Sequence, residues 1–267
     1  MVARCSTKAK AFSIQLFLSK MTLPTTAKTM EMSNETKEQN SSQLETEKAA
    51  NTYLDVTYSD KPLTDYPNRL AKYLTEKYLI KKNSRLLDLG CGRGEFLRGF
   101  INQGMEGFGI DQADTAKGIC PTAIIKVGNL EDKLPFEDNY FDVVYSKSVV
   151  EHFYYPEKIL GEVYRILKPN GLVITMTPDW AYNVIGFHDD HSHRSAFTLK
   201  SLNDIHRVCH FQSVITKRFI QLPIIWKIPF LKFTTMLCRT IVPNGLKKYS
   251  KFIRFSKEIM LITTAKK

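Results

Sequence analysis

Apolar and polar positions alternate between two periods along most of this chain. "DYPNRLAKYLTEKYL" places Leu70, Tyr73, Leu74 and Tyr78 at helical spacing. "RLLDLG" reads as a buried parallel strand, and "EFLRGFINQ" as a helix with Leu97, Phe100 and Ile101 on one face. Further strands are predicted at "EGFGID" (106–111), "AIIKVGN" (123–129) and "FDVVYSKS" (141–148). "PEKILGEVYRILKPNG" carries the stripe Ile159, Leu160, Val163, Ile166 and Leu167, with Pro169 and Gly171 to end it. "LVITMTP" is a fifth strand, "SLNDIHRVC" a helix, "QSVITKRFIQL" a sixth strand and "EIMLITTAK" a seventh. Strands alternating with helices predict an α/β fold: a doubly wound, Rossmann-like, seven-stranded and mostly parallel sheet with helices on both faces.

The pattern is absent at the N-terminus. Residues 1–30 hold five basic residues and no acid, and "AFSIQLFLSKM" could form a short amphipathic helix. That composition suits a mitochondrial transit peptide or a plain basic extension. Residues 31–51 are polar and read as a linker. The expected organisation is a disordered 1–52 and a folded domain over 53–267. A cytoplasmic location is expected, with the mitochondrion as the alternative. Five scattered cysteines without a C-x-x-C pair argue against a disulfide framework or a zinc ribbon. No run of 18 apolar residues is present to span a membrane.

Charge adds one feature. The net charge of +11 resides in residues 211–267, which hold 12 Lys/Arg and the single acid Glu258. The remainder is balanced, so one local surface is basic, and nucleic acid is not the expected partner. Within that region, 219–255 mixes Ile, Phe, Leu and Trp226 with Lys and Arg. It reads as a helical cap over the ligand end of the sheet, or as a lid toward lipid.

The chemistry concentrates after the first strand. In "LLDLGCGRGEF", Gly90, Gly92 and Gly94 allow a tight turn and a close backbone approach to a ligand. The following helix start favours an anionic group. Asp111 ends the second strand 21 residues after Gly90, a spacing that suits ribose hydroxyls. A nucleoside-containing cofactor follows. Glu95 stands where the dinucleotide fingerprint has its third glycine and would repel a pyrophosphate.

The G-x-G-x-G spacing behind "LLDL" instead resembles motif I of the class I S-adenosylmethionine-dependent methyltransferases. "GFGID", "VGNLEDKLPFEDNYFDVVYSKSVVEHF" and "YRILKPNGLVITMTP" resemble that family's later blocks, in order, over roughly 53–210. Asn129 replaces the family's usual Asp, and Asn170 a Gly. The resemblance implies S-adenosylmethionine as cofactor, held by Asp88, Gly90, Cys91, Gly92, Gly94, Asp111, Asn129, Leu130 and Ser146. It is strongest toward the small-molecule branch, and implies methyl transfer to an oxygen or nitrogen of a small-molecule or lipid-like acceptor. The basic charge of residues 211–267 separately predicts that the acceptor, or the surface presenting it, is anionic.

Glu151 and His152 follow the fourth strand, and "GFHDDHSHRSAFTLKSL" follows the fifth. An acceptor that must lose a proton needs a base near neutrality. His152 and His191 are the expected bases, with His188 and His193 also at hand. H-x-x-H-x-H is not a specific ligand spacing, so no metal is expected. Tyr58 and Arg69, ahead of the first strand, are secondary cofactor candidates. A nicotinamide oxidoreductase is disfavoured by Glu95. A nucleic-acid enzyme is disfavoured by "SKSV" where exocyclic-amine methylation uses N-P-P-Y, and by the absence of a Pro-Cys nucleophile motif. A non-catalytic cofactor-binding module shares the same motifs.

Overall fold

The computed structural model describes Val56 and residues 61–267. The expectations for residues 1–52, the targeting segment among them, and for Tyr58 lie outside the described residues. Elements run α1 (Tyr66–Lys77), β1 (Arg85–Leu89), α2 (Glu95–Ile101), β2 (Glu106–Asp111), β3 (Ile124–Val127), β4 (Phe141–Lys147), α3 (Pro156–Ile166) and β5 (Leu167–Pro178). They continue with α4 (Trp180–Asn183), α5 (Leu199–Val208), β6 (Gln212–Phe219), α6 (Pro223–Lys227), α7 (Lys232–Ile241), α8 (Lys251–Lys257) and β7 (Met260–Lys266).

The seven strands form one sheet in the order β3-β2-β1-β4-β5-β7-β6. Only β7 is antiparallel to its neighbours, β5 and β6. Alternation along each strand feeds two cores. Leu87, Leu89 and Val144 pack with Ile159, Val163 and Leu202 on the α3/α5 face. Leu86, Val143 and Tyr145 pack with Leu70, Leu74 and Phe100 on the α1/α2 face. The strand order reverses between β1 and β4, so both open their carboxyl ends into one crevice, where such sheets bind ligands.

Three elements differ from the sequence reading. α3 ends at Ile166, and β5 begins at Leu167 rather than Leu172. Pro169 disfavours helix at Lys168. Asn170 takes φ 64°, and its N–H donates to the Lys267 carbonyl, so the C-terminus pairs with this stretch. β4 and β5 accordingly slip register between Phe141 and Val143. β3 stops at Val127, and Gly128 donates its N–H to Asp111 instead of extending the strand. α5 starts two residues early because Thr198 and Ser201 form a reciprocal capping box.

Between β6 and β7 the chain makes α6, α7 and α8. Trp226 stacks on Tyr73 at 4.8 Å, and Phe255 lies parallel to Tyr66 at 6.3 Å. The cap is thereby clamped to α1. No helix of the described residues is long and apolar enough to cross a membrane.

Candidate functional site

The β1–α2 turn is built on three left-handed glycines, Gly90 (φ 70°), Gly92 (φ 50°) and Gly94 (φ 82°). Gly90 is fixed by packing as well. A Cβ there would lie 2.5 Å from Val149 Cγ2, on the turn after β4. Gly92 is different: nothing lies within 4 Å of its Cβ position. Its backbone therefore faces open space, as a ligand's close approach requires.

Asp111 ends β2 and ties the turn. Its Oδ2 accepts the Gly92 N–H at 2.8 Å, and its Oδ1 accepts the Gln112 N–H at 2.8 Å. Burial pushes its carboxyl up, and these N–H groups pull against that. Each oxygen keeps a lone pair for a hydroxyl donor. Asp88 is buried on the α1/α2 face, where the Leu97 N–H at the start of α2 holds it. Burial, then the nearby Asp111 charge, push its pKa up to about 8.

The Cys91 side chain points into the sheet, against Gly109, and burial raises its thiol pKa. Only its backbone is offered to a ligand. Ser146, on β4, is buried with its Oγ lacking a hydrogen-bond partner. Asn129 spends its Oδ1 on the Glu131 N–H at 3.0 Å, and Leu130 is buried in the core behind it. An open glycine, a largely buried carboxylate and an orphaned buried hydroxyl all border the β1–β4 crevice. These residues fit a nucleoside cofactor with a cationic amino-acid end.

The turn after β4 carries the second half of the site. Glu151 is fully buried, and its Oε2 accepts from Thr177 Oγ1 at 2.9 Å. Burial raises its pKa to about 7. Its carbonyl accepts both the Arg194 N–H (2.8 Å) and the Ser195 N–H (2.9 Å), and Ser195 Oγ donates to the Phe153 carbonyl at 2.7 Å. The histidine loop is thus stapled onto this turn. His152 sits beneath it, 2.9 Å from Ser192 Oγ through Nδ1, with its pKa lowered by burial.

The structure brings His193, not His191, beside His152: the ring centroids are 4.9 Å apart. His191 is exposed and lines a cavity of about 740 Å³ between the loop and the cap. Asn183, Phe187, His193, Lys247 and Arg254 also line it. His188 is exposed on the same loop. Arg69 is ion-paired to Asp65 at 2.6 Å on the surface of α1.

Two groups here escaped sequence reasoning. Lys147, at the end of β4, has its pKa lowered by burial even though Glu151 and Asp88 raise it. Its signal was a lone cation ending a hydrophobic strand. The pairing of His193 had no local signal.

Residues 87–175, about a third of the chain, match the family described as "Methyltransferase domain". The sterol 24-C-methyltransferase erg6 of Schizosaccharomyces pombe is 35% identical over 39% of this chain and 30% of its own length. The ubiquinone/menaquinone biosynthesis C-methyltransferase UbiE of Neisseria gonorrhoeae is 30% identical over 36% of this chain and 44% of its own. The chain thus spans less than half the length of these two relatives. A SAM-dependent methyltransferase of Archaeoglobus fulgidus superposes with a TM-score of 0.53, at 21% identity, over 75% of this chain and 94% of that one. Residues 87–175 thus match a methyltransferase domain, on a fold shared with S-adenosylmethionine-dependent methyltransferases.

Proposed function

We propose that the chain transfers a methyl group to an oxygen or nitrogen of a lipid-like, anionic acceptor presented at a membrane surface. The observation that carries this reading is the inverted face of α7. An amphipathic helix normally buries its apolar stripe. α7 buries Thr235 and Cys238 and leaves Phe233 66% and Ile241 68% exposed, with Met236 and Leu237 beside them. Phe230, just before it, is 76% exposed. Lys227, Lys232, Lys248 and Lys251 lie on the same cap. A contiguous apolar face among cations is what an interface carrying anionic headgroups binds. The 740 Å³ cavity lies under this cap, with Lys247 and Arg254 on its wall.

S-adenosylmethionine supplies a methyl carbon on a sulfonium, already activated toward in-line attack. The chain's part is to position and to exclude water. In this reading Asp111 holds the ribose hydroxyls, and the Gly92 backbone lets the amino-acid end come close. Ser146 and Asp88 line the floor, with Asn129 and Leu130 toward the base. His152 or His191 takes the acceptor's proton, and α6 to α8 keep water from the chamber.

The relatives are named for sterol and for ubiquinone/menaquinone biosynthesis, which supports a lipid-like acceptor. Their names record methylation at carbon. The test is incubation with methyl-labelled S-adenosylmethionine and a fractionated cell extract. Label is expected in the lipid fraction, removable with an O- or N-methyl group. Label in nucleic acid or protein would overturn the acceptor class, and label at carbon would overturn the acceptor atom. No transfer at all would leave a cofactor-binding module.

A further inference from the structure

Three side chains meet where the turn after β4 touches the histidine loop. One oxygen of Glu151 and one nitrogen from each of His152 and His193 lie within 4.8 Å of one another. Glu151 is fully buried, and while Thr177 satisfies its Oε2, its Oε1 has no hydrogen-bond partner. Leaving such an oxygen unmet is costly, and more so when it is charged.

Both rings are held by their outer nitrogens. His193 Nδ1 is 2.6 Å from the Phe187 carbonyl, which only accepts, so Nδ1 carries the proton. Ser192 Oγ donates to Asp190, so it receives its bond from His152 Nδ1–H. With Nδ1 protonated, Nε2 of each ring carries the lone pair, and the His152 ring also reaches the Ser148 backbone. An imidazole oriented through its second nitrogen by a carbonyl or a carboxylate-backed hydroxyl is the arrangement that surrounds bound metals.

We propose that Glu151, His152 and His193 bind one divalent ion of the zinc class, with a coordination position open toward the cavity. Two imidazoles and a carboxylate suit zinc-class ions, whereas calcium and magnesium take oxygen ligands. Tetrahedral zinc ligands stand roughly 3.3 Å apart, so the cluster must close by at most about 1.5 Å. Ion binding would have to draw the three side chains together by that amount while the Nδ1 contacts of the two rings persist. The H-x-x-H-x-H spacing points to the wrong pair here. The ligand on the loop is His193, and its partners come from 42 and 41 residues earlier in the chain.

The use of the ion deepens the acceptor reading and rests on it. His193 lines the cavity, so the open position faces an acceptor oxygen there. His152 then serves as a ligand, and His191, on the wall of the same cavity, is left as the base.

The test uses the full chain, depleted with a chelator and reloaded with zinc chloride or cobalt chloride. Elemental analysis is expected to find one ion per chain, and the cobalt form to absorb in the visible as a low-coordinate N/O site. His152→Ala and His193→Ala should each reduce the bound ion to a small fraction. Glu151→Gln, which keeps a partner for Thr177, should weaken affinity at least about tenfold. His188→Ala, outside the cluster, should bind fully. Absence of stoichiometric uptake by the parent chain, or full uptake by both His152→Ala and His193→Ala, overturns the site. Methyl transfer measured on the same samples separates the two readings. A bound ion without transfer supports the site and overturns its role at the acceptor. Transfer by a chain that takes up no metal overturns the site and leaves the acceptor reading standing.

Discussion

Gly90 closes onto Val149: a Cβ on Gly90 would lie 2.5 Å from that valine's Cγ2, so the turn after β1 and the turn after β4 seat each other. The glycine turn and the turn that leads to Glu151 and His152 are thus packed against each other at this contact. At Gly92, two residues on, an added Cβ would meet nothing within 4 Å.

The contrast predicts different outcomes for two alanines. Gly90→Ala, with φ 70° and a clash, should destabilise the fold by about 2–4 kcal/mol and abolish cofactor binding. Gly92→Ala adds only the strain of a left-handed alanine, about 1–2 kcal/mol, yet should weaken S-adenosylmethionine at least tenfold. Thermal melts and calorimetry on the two variants check this. Equal affinity in Gly92→Ala and the parent would remove the glycine cradle from the account.

Asp111→Ala removes a carboxylate that holds the Gly92 N–H and offers lone pairs to a ribose. A loss of cofactor binding of roughly 1.5–3 kcal/mol is expected, with a smaller loss of stability of about 1 kcal/mol. An affinity unchanged within error would assign Asp111 to the turn alone.

His206 predicts a pH dependence outside the site. It is fully buried on α5, with Nδ1 2.8 Å from the Leu202 carbonyl and Nε2 2.9 Å from Thr175 Oγ1. Burial lowers its pKa from 6.5 to about 4. The unfolded chain therefore binds the proton first. The stabilisation is full above about pH 6.5 and is lost as pH falls toward 4, by roughly 3 kcal/mol in total. Denaturant titrations between pH 7 and 4 should show that slope, flattened in His206→Gln. An identical slope in the variant would assign the acid sensitivity to other groups.

The exposed face of α7 predicts adsorption to vesicles containing anionic lipid, weakened as salt shortens the Debye length from about 10 Å at 0.1 M to about 3 Å at 1 M. Phe233→Glu with Leu237→Glu should abolish co-sedimentation without changing the melting temperature, since both residues face solvent. Equal indifference to anionic and neutral vesicles would make the segment an ordinary cap.

The parts of this molecule legible in its sequence are those ruled by local period. The strands through Asp88 and Asp111, the three left-handed glycines and the helix stripe at Ile159, Val163 and Ile166 follow from spacing alone. What escaped depends on contacts distant in sequence. The early start of β5 at Leu167 goes with Lys267 pairing with Asn170, whereas the end of α3 is marked locally by Pro169. His193 lies beside His152 in a loop whose next two N–H groups, Arg194 and Ser195, bond the Glu151 carbonyl more than 40 residues earlier. The outward apolar face of α7 is set by a cap clamped through Tyr66 and Tyr73, which leaves that helix no core to face.

The central claim is that the crevice between β1 and β4 holds S-adenosylmethionine. Calorimetric titration of the full chain with S-adenosylmethionine, its demethylated product and NAD tests it most directly. Saturable one-site binding of the first two, lost in Gly92→Ala, and no heat with NAD is the predicted result. Tight NAD binding with no signal from either sulfur compound would contradict the account.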